Sequence, residues 1–493
     1  MTFYFYDLET SGINPRAQRI MQFAGQRTDM NLNPIGDPQN WLVKITEEIL
    51  PDPEAVLITG ITPQKSIDEG YTEAEFLKLF SDEVLQPDTI ICGFNTIRFD
   101  DEFMRTTLWR NFYDPYEWQW QDGRSRWDLL DVVRIVRALR PEGIEWPFED
   151  RIENTSDHGE QDVSGGKVVR VPSNRLELIT KANGLDHDNA HDALSDVNAT
   201  ISVARLLKTK HPQMFEYLLK MRNKKQIKVL VNLDEKKPFV YTSGRYDSQY
   251  NKTTVAFPLT SGKNGNVVVY DLRYDPTPFL DLNEEELSSK IFANWDDRKK
   301  IDFVKLPIKE LQYNKCPVVA PLGVLTQNNG WEHISLDEVT VARHINTLLS
   351  RPDFAERIRS IFEQQPEYKV ETDPEFRLYD GFVVDKDKPK MRAARSSEEA
   401  QLVDLNLDFT DGRLNEMLPR YKARNFPKSL SKKELEEWNE YKNNRLKNGI
   451  NGQLSLNEYI TKLGKISVKN DDEKSQFLIQ ELKLYAESVL EYE

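Results

Sequence analysis

The stretch FYFYDLETSG, residues 3–12, decides how this chain reads. Aromatic side chains favour a pleated, half-buried surface, so TFYFYDL predicts a strand. Two carboxylates, Asp7 and Glu9, interrupt it two positions apart. In a strand, residues i and i+2 project from one face, so Asp7 and Glu9 point together while Leu8 points into the core. Two carboxylates aimed the same way repel unless a positive charge lies between them, and a hard divalent cation bound through oxygen resolves the repulsion. More carboxylates are then expected elsewhere in the chain to complete the cage.

Two segments supply them. TIICGFNTIRFDDEF, residues 89–103, reads as a buried strand running into a helix start, with Asp100 at the junction and Asp101 and Glu102 beside it. NAHDALSDV, residues 189–197, opens a helix with His191 at its mouth and Asp196 about one turn inside. Asp7, Glu9, Asp100, Asp196 and a histidine make a set able to hold two metal ions and one general base. Two ions roughly 4 Å apart stabilise both the attacking and the leaving oxygen of an in-line displacement at phosphorus, which is the chemistry of phosphodiester hydrolysis. Spacing alone leaves choices open: Asp101 and Glu102 compete with Asp100, and His187 competes with His191. Asp192 competes with Asp196, although an acid at a helix start is more often a cap.

Around these segments the chain is long and mixed. At 493 residues it has room for about three domains, and 39% hydrophobic with 10% aromatic residues is enough to build cores. Its longest apolar runs, such as AVLITGI, fall short of the roughly 20 residues a membrane helix needs. The N-terminus has no basic segment leading into an apolar run, so a cytoplasmic protein without a membrane partner is expected. Cys92 and Cys316 sit in apolar segments and read as buried free thiols. A net charge of −15 argues at first against an anionic partner, but distribution matters more than the sum. Residues 203–232 carry eight basic side chains (Arg205, Lys208, Lys210, Lys220, Arg222, Lys224, Lys225 and Lys228) against one acid, Glu216, leaving a local basic footprint.

The first 210 residues alternate strand-like and helix-like segments, the pattern of an α/β layer fold. TEAEFLKLFSDEVL, SRWDLLDVVRIVRAL and DALSDVNATISVARLLKTK predict helices by their apolar spacing. SNRLELITKANG predicts a helix from a Ser or Asn cap to Gly184. EDRIENTSDHGEQDVSGGK predicts a mobile surface loop. From about 226 to 320, IKVLVNL, TTVAFPL and NVVVYDL read as short strands of a β-rich domain. Helices return with SLDEVTVARHINTLLS and FAERIRSIFEQQ, residues 366–406 read as an irregular connector, and the C-terminus is helical. There SKKELEEWNEYKNNRLKNG stops at Gly449, and Phe477, Leu478, Leu482, Tyr485, Val489 and Leu490 form one stripe. The aromatic run WRNFYDPYEWQWQDGRSRW, residues 109–127, suits either core packing or base stacking.

The ordered set (D-x-E in the first strand, Asp100 after Phe99, then His191 five residues before Asp196) resembles the DEDDh branch of the DnaQ-like 3'→5' exonucleases. RNFYDPYEW, SRWDLLDVVR, LRPEGIEWP, TKANGLDHDNAHDA, NKCPVV and YKARNFP narrow the resemblance to the bacterial exodeoxyribonuclease I family, over nearly the whole chain. The resemblance implies an α/β fold: an RNase H-like (DnaQ-like) exonuclease domain with a mixed sheet (1–210), an SH3-like β-rich domain with appended helices (211–365) and a C-terminal helical domain (366–493). Together these would form a C-shaped clamp over single-stranded DNA. It implies Asp7, Glu9, Asp100 and Asp196 as ligands of two Mg2+ ions, with Mn2+ as a substitute, and His191 as the base. Glu9 and Thr10, and Ile61 and Thr62 of TGITP (59–63), are implied substrate contacts. Arg140, Lys422 and Arg424 are further cationic candidates. The implied activity is stepwise hydrolysis of single-stranded DNA from the 3' end to 5'-mononucleotides, by a monomer that docks on the acidic C-terminal tail of single-stranded-DNA-binding protein. Recombination and repair are the implied settings. The acidic loop at 150–168 is longer than the family pattern and contains no motif residue. Two rivals are trimming of RNA by the same site and a non-catalytic single-strand clamp; the first suits smaller chains, and the second has no need of a carboxylate cluster.

Overall fold

The computed structural model describes residues 1–153, 167–187, 191–300, 303–364, 371–405, 407–450 and 452–489. Over the first 230 residues the order is β1 (Thr2–Thr10), β2 (Ile20–Thr28), β3 (Gln39–Leu42), α1 (Pro53–Thr59), α2 (Pro63–Glu69), α3 (Glu73–Leu79), β4 (Thr89–Gly93), α4 (Asp100–Arg110), β5 (Ser125–Asp128), α5 (Leu129–Leu139), β6 (Phe148–Glu153), β7 (Lys167–Pro172), α6 (Leu176–Ala182), α7 (Ala193–Lys210), α8 (Pro212–Met221) and α9 (Lys224–Leu230). The chain divides into two compact units. One comprises residues 1–126, 187–201 and 369–493, the other residues 127–186 and 202–368.

In the first unit β1 lies at the centre of a five-stranded sheet of order β3-β2-β1-β4-β5. It runs antiparallel to β2, with Asp7 opposite Ala24 and Glu9 opposite Gln22, and parallel to β4. The sheet is mixed, as the resemblance implies. Alternation along β1 separates two environments. Tyr4, Tyr6 and Leu8 enter one core with Phe23, Phe76, Phe80, Phe103 and Trp118. On the opposite face Phe3 and Phe5 are buried against each other, and from Asp7 onward that face turns carboxylate. Close packing leaves no room for side chains at two glycines: a Cβ on Gly25 would stand 2.3 Å from the Tyr4 hydroxyl, and one on Gly93 2.1 Å from Thr96 Cγ2.

The rest of this unit is helical, with helices over Gly412–Asn425, Lys432–Asn448, Leu456–Lys469 and Glu473–Ser488. Ser431 opens the second with a capping box, and Gly449 closes it at φ +64. Leu463, Leu478, Ile479, Leu482 and Tyr485 pack on Ile45, Ile49, Val56 and Ile61. Two expectations change here. Phe477 is 60% exposed and outside the buried stripe; Ile479 and Ala486 take part instead, because the helix turns its apolar face toward α1 rather than along the predicted line. Leu490 lies outside the described residues. The expected connector contains helices at Lys388–Ser396 and Glu399–Leu402, where Met391, Ala394 and Leu402 supply enough buried surface to hold a charged segment helical.

In the second unit β8 (Phe239–Thr242), β9 (Thr253–Ser261), β10 (Val267–Asp271), β11 (Ile308–Leu311) and β12 (Val318–Pro321) form an antiparallel sheet of order β11-β10-β9-β8-β12. TTVAFPL and NVVVYDL are strands, as read. IKVLVNL is not: residues 224–230 are α9, capped by Asn223. Ile227 and Val231 cover Phe239, Val267 and Leu311 with Met221, so burial at a spacing of four overrides the β-propensity of Ile and Val. SRWDLLDVVRIVRAL splits into β5 and a helix that begins at Leu129, with Asp128 as its cap. Arg175 occupies the cap position of α6 and makes no side-chain cap bond, so neither Ser173 nor Asn174 caps it. The segment read as a loop begins and ends in strands, since β6 and β7 pair antiparallel from Phe148↔Pro172 to Glu153↔Lys167; residues 154–166 lie outside the described residues. SLDEVTVARHINTLLS and FAERIRSIFEQQ form the helices Glu338–Leu349 and Pro352–Glu363.

Candidate active site

Three carboxylates converge at the end of β1. Asp7, Glu9 and Asp196 each offer an oxygen within 4.8 Å of the others. The strand contributes two by its two-residue repeat, and α7 brings Asp196 from its first turn. Asp100, the first residue of α4, is buried, and its charge acts on Asp7 together with those of Asp196 and Asp192. Burial and these neighbours hold the Asp7 carboxyl well above the usual range. Glu9 is pushed up to about 9 by burial, then by Asp7, Asp196 and Asp192. Burial also raises Asp196, against a hydrogen bond from His187. Groups perturbed this way favour a bound cation. The donors are all hard oxygens, matching a divalent Mg2+ or Mn2+ ion, so the residues present fit the implied metal. Asp100 and Asp196 both stand in first helical turns, where the helix dipole favours negative charge.

The hydrogen bonds separate the competing acids. Asp101 accepts from the Tyr6 hydroxyl at 2.6 Å and pairs with Arg126. Glu102 pairs with Arg105 at 2.5 Å and accepts from Tyr379. Both have structural work, and the charge of Asp100 is the one of this trio that acts on Asp7. Asp192 caps α7: its Oδ1 accepts from Ser195 N–H at 3.0 Å. The histidines differ sharply. His187 is enclosed, with a side chain 4% exposed, and its Nε2 lies 2.5 Å from Asp196 Oδ1. His191 is exposed at the start of α7, with φ +69.

The remaining candidates have visible local roles. Thr10 is buried, and its hydroxyl donates to Gly12 O at 2.8 Å. Ile61 belongs to the apolar core, and Thr62 caps α2 by accepting from Lys65 N–H at 3.2 Å. Arg140, in the second unit, donates to Gln327 Oε1 at 2.9 Å and to Leu139 O. Lys422 pairs with Glu434 at 2.7 Å. Arg424 is buried between Glu48 and Glu375, so neither of these last two is the surface cation expected. In the aromatic run Trp109, Phe112, Trp118 and Trp127 are core, and Trp120 is 61% exposed. Cys92 is buried and Cys316 half-buried; both are free thiols.

A mixed sheet of this order, with acids gathered at the end of its central strand and at two helix starts, defines a nuclease of the RNase H-like exonuclease class. Known families cover the chain in three consecutive pieces: Exonuclease over residues 4–204, Exonuclease I SH3-like domain over 222–364 and Exonuclease I C-terminal domain over 372–489. Exodeoxyribonuclease I of Haemophilus influenzae is 36% identical over 99% of each chain. The crystal structure of Escherichia coli exonuclease I in complex with a dA16 oligonucleotide superposes with a TM-score of 0.90 at 36% identity, covering 99% of this chain and 100% of that one. A structure of SSB/exonuclease I with the inhibitor CFAM gives 0.86 at 35% identity, covering 99% of each. The chain belongs to the exodeoxyribonuclease I family.

Proposed function

We propose that this chain hydrolyses single-stranded DNA from its 3' end, releasing 5'-mononucleotides, at the site formed by Asp7, Glu9, Asp100, Asp196 and His191. The observation that carries the reading is the convergence of Asp7, Glu9 and Asp196 within 4.8 Å. Asp7, Glu9, Asp100 and Asp196 would hold two Mg2+ ions, with Mn2+ as a substitute. Bound there, the ions supply Lewis-acid stabilisation of the attacking and leaving oxygens of an in-line displacement. His191 accepts the proton of the attacking water; its exposed position leaves the ring accessible to solvent and to a chain end. The water oxygen bonds to phosphorus, the P–O3' bond breaks, and the departing 3'-oxygen takes up a proton. Thr10, Ile61 and Thr62 shape the wall beside the terminal nucleotide through the hydroxyl bond, core packing and helix cap described above.

DNA as substrate rests on likeness to the oligonucleotide-bound relative, and a docking partner in single-stranded-DNA-binding protein on the SSB/exonuclease I structure. Lys220, Lys224, Lys225 and Lys228 are exposed on α8 and α9, a footprint suited to following phosphates. Repair and recombination in a bacterial cytoplasm suit this activity. The test is an end-labelled assay with Mg2+ on matched single-stranded DNA, single-stranded RNA and blunt duplex, with His191→Ala alongside. Shortening of single-stranded DNA alone, lost in the variant, is expected; equal cutting of RNA would remove the DNA assignment, and binding without cleavage would make the chain a scaffold.

A further inference from the structure

Two histidines stand near Asp196, and only one touches its side chain. His187 lies nine residues before Asp196, and its ring is enclosed while Asp196 retains partial exposure, at 4% and 18% of the side chain. Its Nε2 is 2.5 Å from Asp196 Oδ1. A carboxylate that ligates a cation offers only acceptors, so in that state the imidazole donates from Nε2 across this contact. A carboxylate on a first-turn residue can rotate about its side-chain torsions. Anchoring one oxygen removes that freedom and leaves the other oxygen for the cluster with Asp7 and Glu9. Asp196 is thus held by the His187 ring at one carboxylate oxygen.

We propose that His187 is a positioning residue. It orients Asp196 for metal binding and takes no proton from the attacking water, a task that stays with the exposed His191. This deepens the proposed function and rests on it. Outer groups that hydrogen-bond a ligating side chain tune affinity by about 10- to 100-fold when removed, so the readout is metal uptake in the absence of DNA.

The experiment titrates the full-length metal-free protein with Mn2+ by calorimetry, using wild type, His187→Ala, His187→Gln, Asp196→Asn and the double variant His187→Ala with Asp196→Asn; circular dichroism checks each fold. Gln places a donor near the position of imidazole Nε2 but cannot act as a base at neutral pH. His187→Ala is expected to weaken Mn2+ binding about 10- to 100-fold and His187→Gln to restore it to within about threefold of wild type. In the Asp196→Asn background, removing His187 should change affinity little further, because the two act as one unit. Wild-type affinity in His187→Ala would overturn the proposal. So would a full additive loss in the double variant, or a His187→Gln protein that binds Mn2+ normally yet loses turnover by about a thousandfold, since the ring would then be doing proton chemistry. If wild type itself took up no Mn2+, the metal-site reading would fall, a result separate from failure of His187 alone. Should His187→Ala fail to fold, the comparison of His187→Gln with wild type in Mn2+ affinity and turnover decides.

Discussion

Asp7 shows at the scale of one residue how function and stability oppose each other. Its side chain continues the face of Phe3 and Phe5, where an apolar residue would pack. Instead its carboxyl is raised by burial and by Asp100, Asp196 and Asp192, so holding it in the fold without a cation costs free energy. Asp7→Asn should therefore raise the melting temperature of the metal-free protein near pH 7, by about 1 °C for each kcal/mol of relieved repulsion in a chain this large. The same change should lower hydrolysis about a thousandfold or more and abolish stabilisation by Mg2+. Melting in chelator and in excess Mg2+, beside an activity assay, checks both; a less stable metal-free variant would show that the charges do not repel as the geometry implies.

At the scale of elements, the start of α7 separates two acids by what each does. Asp192 caps the helix end by accepting from Ser195 N–H, while Asp196 joins Asp7 and Glu9 of β1. Asparagine caps nearly as well as aspartate, so Asp192→Asn should keep stability within about 0.5 kcal/mol and hydrolysis within a few-fold of wild type. Asp192→Ala should lose about 1 kcal/mol with the cap. Denaturant unfolding and turnover of the two variants separate these outcomes; a collapse of activity in Asp192→Asn would make Asp192 a ligand.

At the scale of the molecule, a buried ionic cluster ties the helix Gly412–Asn425 to the segments that hold Arg19 and Glu48 and joins α3 to α4. Arg19 pairs with Glu48 at 2.9 Å, Arg110 with Glu73 at 2.5 Å, and Arg424 bridges Glu48 at 2.9 Å and Glu375 at 2.7 Å, with almost no exposure at any of these side chains. Removing one partner of a buried pair leaves an uncompensated charge and costs about 3–5 kcal/mol. Arg424→Ala should lose that much in urea unfolding, whereas a solvated arginine would cost almost nothing.

The same cluster sets an acid limit. Burial alone would raise Glu48, but Arg424, Arg19 and Arg445 overcome it and hold its carboxyl at about 2, against an ordinary 4.5; Glu73 and Glu375 are lowered likewise. A depressed carboxyl stabilises the fold above its unfolded pKa, and that contribution is lost as pH falls through the folded value. Stability should therefore drop between about pH 4.5 and 2, by an amount on the order of 3 kcal/mol from Glu48 alone. Glu48→Gln should lower stability at pH 7 and flatten this acid limb, which thermal melts from pH 7 down to pH 2 would reveal.

The local pattern of the sequence determined what depends on neighbours a few residues apart. The same-face pair Asp7 and Glu9, the stop at Gly449 and the strand runs at 253–261 and 267–271 follow from patterns a few residues long. Tertiary structure decided the rest, because the deciding partners are distant in sequence. Asp101 and Glu102 were separated from Asp100 only when Tyr6, Arg126 and Tyr379 claimed them. IKVLVNL became a helix because a sheet lay waiting for Ile227 and Val231. Arg19, Arg110 and Arg424 look like surface charge until glutamates from other elements close around them. His187 and His191 are equal by composition; only the folded chain places one ring on Asp196 and leaves the other in solvent.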